Sequence, residues 1–342
     1  MTEYIASLQQ NKKYIFAVGM LALLPCYYLI SLMINSSTNY PEDKMYFCTA
    51  ADSRFYEHVQ NLIGSIHRLH FNETQEIAVF DLGFTAEQRA RINSIAKVNV
   101  YDVEKTNPQI LTEVELNGRP DKFTRGHYSW KPVCIKQALD KFPFVLWLDA
   151  GTTVISSITP IFDYIKENGA FLTECGHNVN CMTTQRVINK FNLNDPQYAY
   201  IMDEMTPGAA AGVIGVSKKY YKDFVYPLYK LTYNIDLFED DGTAAGGPGM
   251  GRYEQTLISI YAHMLKLPII KKDFNMLPDN KDHIYSHILV KGQDIPLHIT
   301  EVPRQVHNET AIFCSRNFMP WIDQFKSIIQ FKDQGKSHAT HA

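Results

Sequence analysis

The sequence predicts an α/β fold: a mostly parallel sheet with helices on both faces, preceded by one transmembrane helix. Three observations lead there. Short apolar runs alternate with stretches whose apolar residues fall at helical spacing, the pattern of strands linked by crossover helices. One run, Phe144-Val145-Leu146-Trp147-Leu148, ends on a lone acid, Asp149, with Ala150-Gly151 after it. A five-residue apolar run bounded by turn residues reads as a buried parallel strand, and open α/β sheets place ligands at its carboxyl end. Finally, Tyr14 to Ile34 is twenty-one residues without a formal charge, long enough to span a bilayer.

Taken in order, residues 1–13 read as a cytosolic tail, because Lys12 and Lys13 precede the apolar span and uncharged Asn35-Ser36-Ser37-Thr38-Asn39 follows it. Residues 14–34 form the anchor. A cleaved signal peptide is the alternative, but its core is shorter and no small-x-small site follows here. Residues 35–44 are a polar stem and 45–318 the luminal domain. Within that domain Met45–Ala51 is a strand and Arg54–Leu69 a helix, its buried face Phe55, Val59, Leu62, Ile63, Ile66 and Leu69. Glu76–Asp81 is a second strand. Thr85 caps the next helix, with Gln88 in capping-box position. Val98–Asp102 is the third strand, and the helix Tyr128–Lys141 feeds the fourth, Phe144–Asp149. Pro207–Val216 is a small-residue turn into a buried strand, and a late helix follows Arg252 with Leu257, Ile258, Tyr261 and Leu265 as its stripe. Residues 319–342 are a C-terminal helix, with Trp321, Ile322, Phe325, Ile328 and Ile329 at helical spacing, and a disordered tail from Lys336.

At 342 residues, 45% apolar and 20% charged, the chain can bury a large core, and its net charge of −3 gives no general attraction to nucleic acid. Sequons at Asn35, Asn72 and Asn308 all fall beyond the anchor, as a luminal domain allows. Five cysteines lie beyond Cys26 of the anchor. Cys175 and Cys181 are the pair best placed for a bridge, while Cys48 and Cys134 read as buried thiols.

Four pieces then fall in a telling order: Tyr46-Phe47-Cys48-Thr49-Ala50-Ala51-Asp52, Val79-Phe80-Asp81-Leu82-Gly83-Phe84, Trp130-Lys131-Pro132 and Leu146-Trp147-Leu148-Asp149-Ala150-Gly151. With Arg252-Tyr253-Glu254-Gln255-Thr256 as a fifth, the chain resembles GT-A-type nucleotide-diphospho-sugar transferases between about Met45 and Arg316. The resemblance implies a GT-A-like domain, a nucleotide-sugar donor, and a sugar transferred to a glycan or glycoconjugate acceptor. It implies a single-pass type II protein of the Golgi or endoplasmic reticulum membrane, and it allows a homodimer. Gly151 stands where the second acid of the family's Asp-x-Asp motif usually is. A protein that keeps the fold but only binds glycan or a partner enzyme is therefore the alternative. A glycoside hydrolase with paired carboxylates is a weaker one.

The residues carry their own chemistry. Asp149 is the candidate ligand for Mn2+ or Mg2+ and, through it, for a diphosphate; His298 could complete the shell. The plainer reading of Asp149 is a cap on the following turn. Lys131 and Arg252 are candidate diphosphate ligands, with Arg125 a third choice. Glu254 is the candidate base, or a sugar ligand if the reaction retains configuration. Thr49, Ala50 and Asp52 point to the nucleotide pocket and Gly151 to close approach of the donor; for Asp81 a turn is the stronger reading. Ala209 to Ala211 leave room for a hexose. The loop Gly242–Gly251 lacks the Lys-Ser/Thr of a phosphate loop and reads as a lid over substrate or a plain linker. His283 and His287 have helical metal spacing without the partner acid of a zinc motif.

Overall fold

The computed structural model describes residues 40–116, 119–154, 157–270, 272–273, 285–290, 293–297, 313–315 and 325–332. The expected tail, anchor and half of the stem lie outside these residues, as do Asn308, His283, His298, Trp321 and Ile322. Among the described residues no helix is long and apolar enough to cross a membrane. The described elements all belong to one compact unit, Glu42–Ala342.

Strand β1 (Met45–Asp52) is buried at every position, as a central strand must be when both of its faces are covered. It pairs in parallel with β2 (Thr74–Gly83), which pairs in parallel with β3 (Val98–Asp102). On its other side it pairs in parallel with β6 (Phe144–Leu148), Phe47 against Leu146 and Cys48 against Trp147. Beyond β6 the sheet changes sense. β10 (Val213–Ser217) runs antiparallel between β6 and β8 (Ala170–Asn178), and β11 (Ile269–Ile270) adds in parallel to β8. The order is β11-β8-β10-β6-β1-β2-β3, with β9 (Pro207–Ala209) antiparallel to β8. The sheet is thus mixed where the sequence led us to expect it mostly parallel. Val213–Ser217 is apolar enough for a buried strand, but burial carries no information about direction. Smaller pairings join β4 (Glu113–Leu116) to β5 (Arg119–Arg125), β12 (Lys272–Asp273) to β13 (Tyr285–Val290) and β14 (Gln293–Leu297), and β7 (Thr152–Val154) to β15 (Phe313–Ser315). His287 falls on strand β13, so the helical spacing assumed for it does not apply.

The helices follow from periodicity and caps. Helix α1 (Tyr56–His70) buries Val59, Leu62, Ile63 and Ile66, but Phe55 belongs to a 3-10 turn before it and is 44% exposed. Thr85 and Gln88 close the expected capping box on α2 (Ala86–Asn93). Helix α3 (Trp130–Lys141) starts two residues later than the sequence led us to expect, because His127 and Tyr128 take left-handed backbone. Helix α4 (Thr159–Asn168) ends on Gly169 in left-handed conformation. It lies so close to β10 that a Cβ at Gly215 would run into the Ile165 side chain. Short helices α5 (Val179–Met182), α6 (Gln185–Phe191) and α7 (Tyr226–Leu231) precede α8 (Tyr253–Met264), the expected late helix. Of its stripe Leu257 and Ile258 are buried, while Tyr261 and Leu265 are half-buried. The largest fully buried side chains include Trp147 on β6, Tyr46 and Phe47 on β1, Phe80 on β2 and Phe142 at the end of α3. Phe325 and Ile329 of the C-terminal segment are also buried.

Cys175 and Cys181 are not bonded to each other: Cys175 Sγ faces the His177 carbonyl at 3.5 Å, and Cys181 Sγ the Asn178 carbonyl at 3.3 Å. Asn178 caps α5 by accepting from the Cys181 N–H, which turns that thiol back on the cap rather than across to β8. Cys48 and Cys134 are buried thiols, as read from the sequence.

Candidate functional site

Three residues far apart in sequence meet at the carboxyl end of β6. The Lys131 ammonium lies 3.0 Å from Asp149 Oδ1 and 2.7 Å from Glu254 Oε1, and it donates to the Ala211 carbonyl at 3.0 Å. Each comes from a defined element. Lys131 is in the first turn of α3, Asp149 follows the last residue of β6, and Glu254 opens α8. The Asp149 N–H donates to the Gly212 carbonyl, which ties the strand end to the loop before β10.

An ammonium has three protons, and here all three have acceptors. The Lys131 side chain is also only 3% exposed, so it does not stand as a free point charge for a phosphate, as the sequence led us to expect. Its role in the geometry is to orient two carboxylates. Burial alone would lower its pKa, but Asp149 and Glu254 outweigh burial and hold the ammonium charged well above the ordinary lysine range. Burial pushes the Glu254 carboxyl up; Lys131 pulls it back and the Asp149 charge adds to the rise. The cluster sums to a net −1 with Glu254 ionised and to zero with it protonated.

Asp149 differs from its neighbours in being open. Its side chain is 46% exposed, against 6% for Glu254. Oδ1 accepts from Trp147 Nε1 at 2.8 Å as well as from Lys131, whereas no hydrogen bond among the described residues reaches Oδ2. Its backbone carbonyl, not its carboxylate, accepts from Thr152 in the following turn, so the side chain is no turn cap. A Cβ added at Gly151 would meet nothing within 4 Å among the described residues. One open carboxylate oxygen beside empty space suits a hard divalent cation that arrives already bound to phosphate. Among the described residues no group of three His, Cys, Asp or Glu could hold a metal ion, and His298 lies outside them. The open Asp149 oxygen fits a cation shared with a diphosphate.

Arg252 lies next to this cluster in sequence, at the N-cap of α8. One of its guanidinium nitrogens faces His177 Nε2 at 3.3 Å, and its buried Nε has no hydrogen-bond partner. Among the described residues no carboxylate pairs with it. Its loop is held at the neck: Asp240, 3% exposed, accepts from Gly242 N at 3.0 Å and Gly249 N at 2.7 Å. A Cβ at Gly251 would sit 2.5 Å from Asp240 Oδ1. The glycine-rich segment is thus pinned by Asp240 at Gly242 and Gly249.

The nucleotide-pocket candidates lie along β1. Two residues beyond the Cys48–Trp147 pair, Ala50 comes near the level of Asp149. Thr49 is 1% exposed and its hydroxyl has no partner. Asp52 is committed elsewhere. Oδ1 caps the next turn through Arg54 N–H, and Oδ2 takes Arg54 at 2.7 Å and Arg125 at 3.2 Å. Burial raises its pKa, but these arginines outweigh burial and hold the carboxyl below its ordinary value. Asp52 is buried and bonded through both carboxylate oxygens, and Arg125 is tied to Asp52 and to the Leu111 carbonyl. Asp81 accepts from Gly83 N and Phe84 N, the turn read from the sequence. Ala209 to Ala211 are buried, and the contribution they make to the cluster is a carbonyl oxygen rather than space.

Trp147 Nε1 and the Ala211 carbonyl escaped the sequence reading. A tryptophan two residues before the acid in an apolar strand reads simply as core, and a backbone oxygen leaves no residue-type signal.

No protein-family model matches the chain, and no curated protein matches it. Solved structures do align. The galactosyltransferase LgtC in complex with donor and acceptor sugar analogs is 16% identical over 64% of this chain and 70% of that one, with a TM-score of 0.41. Core-mannan synthase A from Aspergillus fumigatus, in its Mn/GDP form, is 11% identical over 66% and 73%, with a TM-score of 0.44. Mouse xyloside xylosyltransferase 1 is 12% identical over 65% and 82%, with a TM-score of 0.39. At these values the reading of the reaction rests on the chain's own residues.

Proposed function

We propose that this chain is a glycosyltransferase that moves a sugar from a nucleotide-diphosphate donor, a UDP-sugar, to a glycan or glycoconjugate acceptor. The observation that carries the reading is the Lys131–Asp149–Glu254 cluster at the carboxyl end of β6, built from the segments that resemble the transferase motifs. We place the reaction in the lumen of the Golgi or endoplasmic reticulum, behind the apolar span 14–34, and take the donor to be a hexosyl nucleotide.

Breaking a glycosyl–diphosphate bond requires stabilising charge on the leaving group and positive character at the anomeric carbon. Arg252, whose guanidinium meets His177 and no carboxylate among the described residues, is suited to bind phosphate oxygens. Asp149 Oδ2 is the oxygen that would hold Mn2+ or Mg2+ against the diphosphate, where the cation would neutralise leaving-group charge. The net negative cluster favours positive character developing in front of it. Glu254, raised by burial, is the group to accept a proton from the acceptor hydroxyl, and Lys131 fixes its direction.

Gly151 favours a second reading, a luminal protein that binds glycan without turning over a donor. Thermal unfolding of the full-length chain with UDP, GDP and their sugars, each with Mn2+ and with chelator, separates the two. A nucleotide at about a hundred times its Kd adds roughly 2.7 kcal/mol of stability. We expect UDP or a UDP-sugar to stabilise the protein, more strongly with Mn2+, and Asp149→Ala to lose sugar transfer while staying folded. No stabilisation by any nucleotide in a folded sample would leave the binding reading.

A further inference from the structure

His127, Tyr128 and Tyr253 are half-buried, and all three hold left-handed backbone, with φ of 50°, 62° and 48°. For residues with a Cβ this costs on the order of 1–2 kcal/mol each, and such strain gathers where a side chain must be aimed. Their rings are assembled side by side. His127 and Tyr253 lie nearly parallel with centroids 6.3 Å apart, and Tyr128 stands 5.3 Å from Tyr253. Behind them Trp130 lies 6.0 Å from Tyr128 and Trp147 lies 5.9 Å from Trp130. The chain of rings ends at the Trp147 N–H on Asp149. Ser129 Oγ and Trp130 Nε1, on residues over nine-tenths buried, have no hydrogen-bond partner. Apolar rings thus lead to a half-open carboxylate.

That split matches a pyranose ring, which presents a C–H face to aromatic rings and hydroxyls to hydrogen-bonding groups. We propose that His127, Tyr128 and Tyr253 form a pyranose-binding wall beside Asp149, with the sugar stacked on the tyrosines. The inference rests on the transferase reading for the identity of that sugar, since the donor sugar and the acceptor's terminal sugar share this chemistry.

The test uses the full-length chain, with Tyr128→Ala and Tyr253→Ala beside Tyr128→Phe and Tyr253→Phe. Probes are UDP, UDP-glucose and UDP-galactose for the donor arm, and methyl glucoside and methyl galactoside with UDP present for the acceptor arm. Thermal shift and tryptophan fluorescence are the readouts, the latter because Trp130 and Trp147 adjoin the wall. We expect the alanine variants to lose about tenfold or more of the affinity due to sugar in one arm, with UDP binding unchanged and the phenylalanine variants near wild type. The arm that responds identifies which sugar the wall holds. Folded alanine variants that bind UDP and every sugar probe as wild type does would overturn the wall and leave the transferase reading intact. If neither UDP nor GDP binds, the transferase reading falls. The glycoside arm then decides the wall alone: fluorescence change lost in the alanine variants supports it, and no change in wild type overturns it.

Discussion

At Lys131 every proton is used, which makes its replacement informative. Lys131→Met leaves Glu254 buried without its counter-charge, and breaking such a pair costs about 3 kcal/mol or more. Urea unfolding should show that loss, and Glu254→Gln in the same chain should recover part of it, because a neutral amide needs no ammonium. A double variant no more stable than Lys131→Met would mean that Glu254 does not depend on the ammonium. Gly151 supplies the opposite kind of test. With no described residue within 4 Å of where a Cβ would stand, Gly151→Asp adds a second carboxylate two residues from Asp149 without a clash among those residues. We expect Mn2+ binding without nucleotide, measured by calorimetry, to become detectable in Gly151→Asp and to be absent in wild type.

At the scale of elements, what was legible in the sequence was what periodicity and turn chemistry encode. The run Phe144–Leu148, the capping box at Thr85 and the strand Val98–Asp102 fall where residue patterns put them, because each depends on local geometry and burial. Lys131, Asp149 and Glu254 could each be singled out from their segments, but their convergence could not, since a pairwise ion contact leaves no periodic trace. The antiparallel sense of β10 and the left-handed turns at His127 and Tyr128 depend on tertiary context in the same way. A related element-level contact is Gly64 on α1. A Cβ there would run into the Phe325 backbone carbonyl. Gly64→Ala should therefore cost about 1–3 kcal/mol by overpacking. Hydrogen exchange should show the loss first at Gln330 and Lys332, whose bonds hold the C-terminal segment to the domain.

For the whole molecule, that docking carries a pH dependence. His67 is buried, donates from Nε2 to the Ala96 carbonyl and accepts at Nδ1 from Gln330 N–H, which requires the neutral ring. Burial lowers its pKa from 6.5 to about 4. The unfolded chain therefore takes up a proton near pH 6.5, while the folded one does so only near pH 4. The stability this group contributes is complete above about pH 6.5 and falls by about 3 kcal/mol as pH drops towards 4. His70, lowered by burial and accepting from Ile158 N–H, adds in the same direction. Glu254, raised by burial, acts in the opposite sense, so the measurement belongs in a Glu254→Gln background. Urea midpoints there should fall steadily between about pH 6.5 and 5, and a flat profile would contradict the neutral, doubly bonded ring.

The separation of the cluster along the chain also reaches into synthesis. Lys131 and Asp149 leave the ribosome more than a hundred residues before Glu254. At about 5–20 residues per second that interval is on the order of 10 s. Throughout it the nascent domain holds an ammonium destined for burial with only half of its counter-charge. The β1–β2–β3–β6 half of the sheet can assemble early, but the ammonium has its full set of acceptors only after α8 arrives. Completion of the reactive centre and closure of the sheet edge are therefore coupled to the later synthesis of α8 and β11.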